Sequence, residues 1–337
     1  MKFRAAALEG IGKIRLVQRE VEPGEDQIVV KTYASSICLA DLQIFRQGYY
    51  TPEIKPTFPL YPGHEGGGTV VSVGSRIHEW KEGDKVALIH DPRPKHYTFP
   101  GGGMADYFVV SPYDVIPVPE GLDMELACLA ETFNPFISVV FRSGVKLGDT
   151  VCVTGANFIG QIVAQGMRKS GALYVTVIDN RDFRLKLAKK LGADYIINST
   201  KGDAYKAAME ITGGKGYDIV AQTAAYIDPT VEEYMNLATE LVRPMGVLIF
   251  QGDFLHPITL KNMHRWHHQS LDVRSLGWRH YTHQLIAMWS PDCLRILQHG
   301  LVDIKSLITA TYPLEKIEEA FKLANEDPDQ LKVVIKP

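Results

Sequence analysis

The sequence predicts an α/β protein in two parts, one β-rich and the other built on a doubly wound parallel sheet. Three observations carry this. Residues 1 to about 120 are dense in β-branched side chains and punctuated by Gly and Pro, as in TVVSVG, DKVALI and ADYFVVSPYDVIPVP. From about Asp149 the texture changes to strands alternating with helices, the pattern of a parallel sheet with crossover helices. A glycine-bearing turn, Gly155 to Gly160, joins the first of those strands to the first of those helices.

In chain order, Phe3–Leu8 and Gln27–Tyr33 read as strands, the second alternating Val29, Lys31 and Tyr33 against Val30 and Thr32. Residues 124 to 145 read as a helix with a break marked by Pro135. TVCVTG then reads as a strand, IGQIVAQGMRKSG as a helix, and YVTVI as a strand ending at Asp179. DFRLKLAKKLG continues as a helix and DYII as a strand, followed by a helix near 203–212 and the strand YDIVAQT. A helix near 229–239, the strand GVLIFQG and a last strand in SLDVRSLG complete the alternation. PLEKIEEAFKLANEDPD reads as an amphipathic helix with Ile317, Ala320, Phe321 and Ala324 on one face, and LKVVIK as a closing strand.

Composition narrows the function classes. Apolar residues are 45% and charged residues 22% of 337, ordinary for a soluble globular chain. The net charge is −3 and no basic block occurs, which speaks against a nucleic-acid partner. No apolar run reaches the length of a membrane span, and MKFRAAALEG lacks a secretory apolar stretch. Cys38, Cys128, Cys152 and Cys293 are scattered without the spacing of a disulfide framework, so a reducing, cytoplasmic setting is expected.

Two stretches carry chemistry. Cys38 is followed 26 residues later by the adjacent pair His64 and Glu65. Thiolate, imidazole and carboxylate together suit zinc, and a single Cys without a CxxC pair suits an open catalytic site rather than a closed structural one. The second stretch is Gly155-Ala156-Asn157-Phe158-Ile159-Gly160, a dinucleotide turn with Asn157 in place of the middle glycine. Asp179 lies 19 residues beyond Gly160 at the end of a strand, where a carboxylate bonds the adenosine ribose hydroxyls. This favours NAD. Arg181, two residues on, leaves NADP open. His264, His267 and His268 bracket Trp266 with no acidic or Cys partner between them, and are not read as a second metal site.

Gly63-His64-Glu65, two residues, Gly68, five residues, Gly74, two residues, Ile77 resembles the zinc signature of the medium-chain dehydrogenase/reductase family. Cys38 with Asp41 resembles the segment that carries the family's first ligand. The resemblance runs nearly end to end and is to the alcohol, sorbitol and threonine dehydrogenase-like members. It implies a discontinuous GroES-like catalytic domain, residues 1–133 and 277–337, around a Rossmann NAD-binding domain, residues 134–276. It implies one catalytic Zn2+ on Cys38, His64 and a carboxylate, with Glu65, Glu131 or both as the acid ligand. Asp41 would bond a metal-ligating imidazole. Residues 90–103 lack the four-cysteine lobe of many members, so a second, structural zinc is not expected, and His90, His96 and Tyr97 there are polar candidates near the substrate. Arg279 falls where polyol-type members place an arginine that shapes the pocket, with Trp278, His280 and Tyr281 beside it. A homodimer through the strand near 271–276, or a homotetramer, is implied.

The function expected is a zinc-dependent oxidoreductase moving a hydride between a polyol, sugar-derived or other secondary alcohol and NAD. The chain departs from the family at the proton route. The family commonly has Ser or Thr two residues after the first Cys and a His three residues further on. Here those positions are Ala40 and Gln43, and neither relays a proton. A redox-neutral lyase or epimerase on the same scaffold is the rival reading. A non-catalytic binding protein is a third, opposed by the complete set Cys38, His64, Glu65 and Asp179.

Overall fold

The computed structural model describes residues 1–50, 55–89, 102–224, 230–251, 257–276 and 283–337. The chain forms two compact units. One comprises Met1–Asn134, Tyr281–Gly300 and Ile304–Pro337, and the other Pro135–His280 with Leu301–Asp303.

The first unit begins with a hairpin of β1 (Lys2–Gly10) and β2 (Lys13–Glu20). β3 (Ile28–Ile37) leads directly into helix α1 (Leu39–Gln47), and Gly48 ends that helix with φ +82. β4 (Glu65–Val73), β5 (Lys85–Leu88), β6 (Tyr107–Val110) and β7 (Val115–Pro117) follow. Two helices come next, α2 (Met124–Ala127) and α3 (Ala130–Ser143). The helix break therefore falls at Cys128–Leu129, not at Pro135. That proline is carried inside α3, where its fixed φ suits the helix, at the cost of the bond to the Glu131 carbonyl and of crowding against it.

The second unit alternates strictly. β8 (Thr150–Thr154), α4 (Phe158–Lys169), β9 (Tyr174–Asp179), α5 (Asp182–Lys190) and β10 (Tyr195–Asn198) form its first half. α6 (Ala204–Ile211), β11 (Tyr217–Gln222), α7 (Val231–Leu241), β12 (Val242–Phe250), α8 (His264–His268) and β13 (Asp272–Ser275) form the second. The strands lie parallel in the order β10-β9-β8-β11-β12-β13. The winding direction thus reverses between β8 and β11, the doubly wound arrangement the alternation implies. Tyr217, Val220, Tyr234, Ala238 and Leu248 fill one face of this sheet.

The chain then returns to the first unit with α9 (His283–Gln298), β14 (Ile308–Pro313), α10 (Ile317–Glu326) and β15 (Lys332–Lys336). The order β14-β15-β3-β4-β5-β7, with β6 against the start of β3, closes a β-rich domain from strands far apart in sequence. Ile317, Ala320 and Phe321 of α10 are buried with Leu8, Leu42 and Ile44, as the spacing of the helix anticipates, and Ala324 packs at the margin. Among the described residues no helix is long and apolar enough to cross a membrane.

Candidate metal centre and dinucleotide turn

The candidate metal centre is assembled by β15, β3 and β4, neighbouring strands of the first unit. β3 delivers Cys38 one residue past its end, as the residue that opens α1. β4 begins at Glu65, with His64 just before it. The β3–β4 register pairs Ser36 with Glu65, so the two segments meet side by side. The glycines beside the pair are required by this closeness. A Cβ on Gly68 would lie 1.9 Å from the Lys31 carbonyl, and Gly63 holds φ +105 with its Cβ position 2.4 Å from the Met104 nitrogen.

Cys38, His64 and Glu65 present one donor atom each within 4.8 Å of one another. Sulfur, nitrogen and oxygen at that spacing fit a zinc-type cation, whose bonds to such donors run about 2.0–2.3 Å. Asp41 ties the group together. Its Oδ2 accepts the Cys38 backbone N–H at 3.0 Å, and its Oδ1 stands 3.6 Å from His64 Nδ1. One carboxylate thereby orients both the residue that carries the thiol and the imidazole.

Two residues not anticipated from sequence complete the centre. Lys332, the first residue of β15, places its ammonium 2.8 and 3.0 Å from the two oxygens of Glu65, and Ser36 donates its hydroxyl to Glu65 as well. Glu65 is 0% exposed and Lys332 5%, so this is a fully buried ion pair. β15 pairs with β3 at Val333↔Ile37, and this register brings Lys332 to the site from 267 residues away. A lysine directly before the apolar Val333, Val334 and Ile335 of the closing strand was the available signal.

Burial and charge set the protonation of this group. Burial opposes the Glu65 carboxylate, but Lys332 and His64 outweigh it and hold Glu65 below the usual carboxylate range. Burial also opposes the His64 imidazolium, and Asp41 and Cys38 outweigh it, so His64 is raised well above its ordinary value. Burial, with Glu65 nearby, pushes the Cys38 thiol up to about 11. Glu131, on the first turn of α3, is pushed up to about 7, chiefly by burial, with His64, Glu65, Lys332 and Asp41 all acting on it. Its carboxylate is not among the three clustered donors. Ala40 and Gln43 are both buried on α1, and the Gln43 Oε1 has no hydrogen-bond partner.

The dinucleotide turn is shaped by its outer glycines. Gly155 holds φ +96, and a Cβ on Gly160 would lie 1.8 Å from the Gly155 carbonyl. Asn157 needs no glycine. It has φ −68, opens α4 as its cap by accepting the Gly160 N–H at 3.0 Å, and donates to the Thr223 carbonyl at 2.8 Å. Phe158 and Ile159 begin α4, whose N-terminal end suits a pyrophosphate. Asp179 ends β9 and is 1% exposed. It accepts the Ala156 N–H at 2.6 Å and the Arg181 N–H at 2.9 Å, and Arg184 lies 3.9 Å away. This carboxylate therefore braces the turn.

Arg279, Trp278, His280 and Tyr281, together with His90, His96 and Tyr97, lie outside the described residues. His264, His267 and His268 sit exposed on α8, with His264 and His268 ring centroids 6.2 Å apart, while Trp266 packs on Phe250. Among the described residues these histidines join no cluster of three metal donors.

Comparison with known proteins adds a further set of observations. A family model described as alcohol dehydrogenase GroES-like domain matches residues 24–120, and one described as zinc-binding dehydrogenase matches residues 159–290. The chain is 30% identical over 329 residues to L-threonine 3-dehydrogenase of Pyrococcus abyssi, with 91% of each chain covered. It is 29% identical over 335 residues to D-arabitol-phosphate dehydrogenase of Enterococcus avium, covering 93% of this chain and 91% of the other. Among solved structures, an Escherichia coli oxidoreductase/dehydrogenase of unknown specificity superposes with a TM-score of 0.87 at 24% identity, over 100% of this chain and 99% of that one.

Proposed function

The chain belongs to the zinc-dependent medium-chain dehydrogenase family, and from that premise we propose how its own residues carry out the family's alcohol oxidation. It is an oxidoreductase of alcohol groups that uses zinc and a nicotinamide dinucleotide. Cys38, His64 and Glu65 hold the catalytic zinc, and the clustering of their three donors within 4.8 Å is the observation that carries this assignment. Zinc held there would supply a Lewis acid for the alcohol oxygen, and a nicotinamide dinucleotide seated on the glycine turn would supply the hydride acceptor.

The remaining work falls to the chain. Asp41 fixes the His64 ring and the Cys38 backbone. Lys332 and Ser36 fix Glu65. Glu131, buried on the first turn of α3 and in electrostatic contact with His64 and Glu65, is the candidate to take the hydroxyl proton, because Ala40 and Gln43 provide no exit. Gly155, Ala156, Asn157, Phe158, Ile159 and Gly160 seat the pyrophosphate. Asp179 serves the adenosine ribose, with Arg181 beside it. The substrate class is a small polar secondary alcohol of the polyol or hydroxy amino acid type, in line with the names of the relatives. The outer edge of β13, which ends the six-stranded sheet, is assigned to pairing with a second copy.

The test combines metal analysis with turnover on a panel of polyols, polyol phosphates and hydroxy amino acids. Wild type is expected to hold about one zinc per chain and to form reduced cofactor. Cys38→Ser and His64→Ala are expected to lose the metal and at least about a hundredfold of turnover while still binding NADH. Metal content unchanged in both variants would overturn the ligand set. Product formed without net reduced cofactor would favour the redox-neutral reading that Ala40 and Gln43 suggest.

A further inference from the structure

Three buried side-chain oxygens lack any hydrogen-bond partner at the carboxyl ends of neighbouring strands of the parallel sheet. They are Thr154 Oγ1 on β8, Gln222 Oε1 on β11 and Gln251 Oε1 just beyond β12. Orphaned acceptors are costly inside a protein, and each one needs a reason.

The pleat of the sheet sorts them. Gln222 is in register with Thr154 on one side and Phe250 on the other, so these three share a face, the one that Tyr217, Val220 and Leu248 fill. Gln251 continues the ladder by donating its N–H to the Gln222 carbonyl at 3.0 Å. Alternation then places the Gln251 side chain on the opposite face, with Thr223. That face belongs to the glycine turn. The Thr223 hydroxyl donates to the Gly155 carbonyl at 2.7 Å, and a Cβ on Gly160 would lie 2.8 Å from it.

A dinucleotide crosses such a sheet at the point where the winding reverses, here between β8 and β11, with its pyrophosphate at the start of the first helix. The acid that ends the second strand of the unit fixes the adenosine half on the β9 side. The other half therefore runs over the ends of β11 and β12. Gln251 stands there, 5% exposed, with an unused acceptor. Nicotinamide carries one group rich in donors, its carboxamide N–H2. The glutamine amide turns on a soft terminal torsion and can meet that donor without moving the strand.

On the cofactor reading given above, we propose that Gln251 is a specificity residue whose Oε1 accepts a hydrogen bond from the carboxamide of the bound nicotinamide. The contact distinguishes an amide-bearing ring from one without N–H donors, and it holds the ring in one orientation.

Calorimetric titration of the intact protein decides the matter. NADH is compared with reduced 3-acetylpyridine adenine dinucleotide, which keeps the carbonyl and lacks the N–H2. One neutral hydrogen bond corresponds to a change of about threefold to tenfold in Kd. Wild type is expected to prefer NADH by that factor. Gln251→Met should weaken NADH by the same factor, leave the analogue unchanged and leave the metal-free, cofactor-free Tm unchanged or raised, since an orphaned acceptor is removed. Gln251→Leu is a second variant with the same expectation. Equal weakening of both dinucleotides, or unaltered NADH affinity in both variants, overturns the contact and leaves the cofactor reading intact. Failure of wild type to bind NADH or NADPH would overturn that reading instead.

Discussion

Removing Lys332 is the sharpest probe of the centre, because one side chain supports a carboxylate assigned to the metal. In Lys332→Met the aliphatic stem is kept and the ammonium is lost. Glu65 is then left 0% exposed, with Ser36 its remaining side-chain donor where Lys332 had met both oxygens at 2.8 and 3.0 Å. Breaking a buried pair by removing one partner costs about 3–5 kcal/mol. For a unit of this size each kcal/mol moves the midpoint by about 2–4 °C, so the metal-free variant should melt about 6–20 °C below wild type. Zinc supplies the positive charge that Glu65 has lost, so the rise in Tm on adding zinc should be larger in Lys332→Met than in wild type. The assay is thermal unfolding of chelator-treated protein with and without zinc, repeated in Glu65→Gln and in the double variant. The Lys332→Met/Glu65→Gln double should recover most of the loss, since neither partner is then charged and unpaired. A metal-free Lys332→Met within 1 kcal/mol of wild type, or a double variant with additive losses, would refute the reasoning.

Two other perturbations test the second unit. Gly160→Ala places a Cβ 1.8 Å from the Gly155 carbonyl, so calorimetry should find NADH binding lost and unfolding should show roughly 3 kcal/mol or more of destabilisation. Gly10→Ala, with nothing within 4 Å, should stay within about 0.5 kcal/mol as the control. Asp218 accepts from the Thr150 N–H and hydroxyl at 2.7 and 2.8 Å and from Arg243 at 2.6 Å. Burial opposes its charge, but these partners outweigh burial and hold its pKa below the ordinary 3.8. A depressed folded pKa means stability that is present above about pH 4 and lost as pH falls through the folded value. Asp218→Ala should therefore cost about 2 kcal/mol in urea unfolding at pH 7, and the gap should narrow toward pH 3. A gap independent of pH would contradict the assignment.

Where the sequence was readable, the signal was local. The doubly wound sheet follows from strand and helix periods that lie within each segment, and Gly155 and Gly160 announce a turn that only glycine permits. Cys38, His64 and Glu65 were visible because two short segments, each conspicuous by itself, carry all three donors. What escaped was set by long-range pairing or by competing local terms. Lys332 reaches Glu65 through the β15–β3 register, which no window of sequence contains. Helix α1 is short and follows a strand directly, so its Leu39, Leu42 and Phe45 spacing was lost in a β-rich context. Pro135 marked a helix break that its own φ does not demand, and the true interruption at Cys128–Leu129 carries no Pro or Gly. Asn157 looked like a defect in the glycine motif. Its φ of −68 and its cap bond to Gly160 show that the middle position here needs a cap rather than conformational freedom.

The buried charges of the first unit bear on the proposed metal site. Asp41, Glu65 and a Cys38 thiolate are three anions, and Lys332 is one cation beside them. The deficit is two positive charges, which is the charge of one zinc ion. In the metal-free chain the deficit is met by protons: Cys38 is pushed up to about 11 and keeps its hydrogen, and His64 is raised well above its ordinary value and gains one. A divalent cation held by Cys38, His64 and Glu65 would take the place of two protons and leave the interior near neutrality, which a low-dielectric site requires. Glu131 adjoins this group, and burial, with His64, Glu65, Lys332 and Asp41 acting on it, pushes it up to about 7. The departure at Ala40 and Gln43 is then no vacancy in the chemistry. On the proposed reading, the proton leaves through the buried Glu131 carboxyl on α3 instead of a side-chain relay on α1.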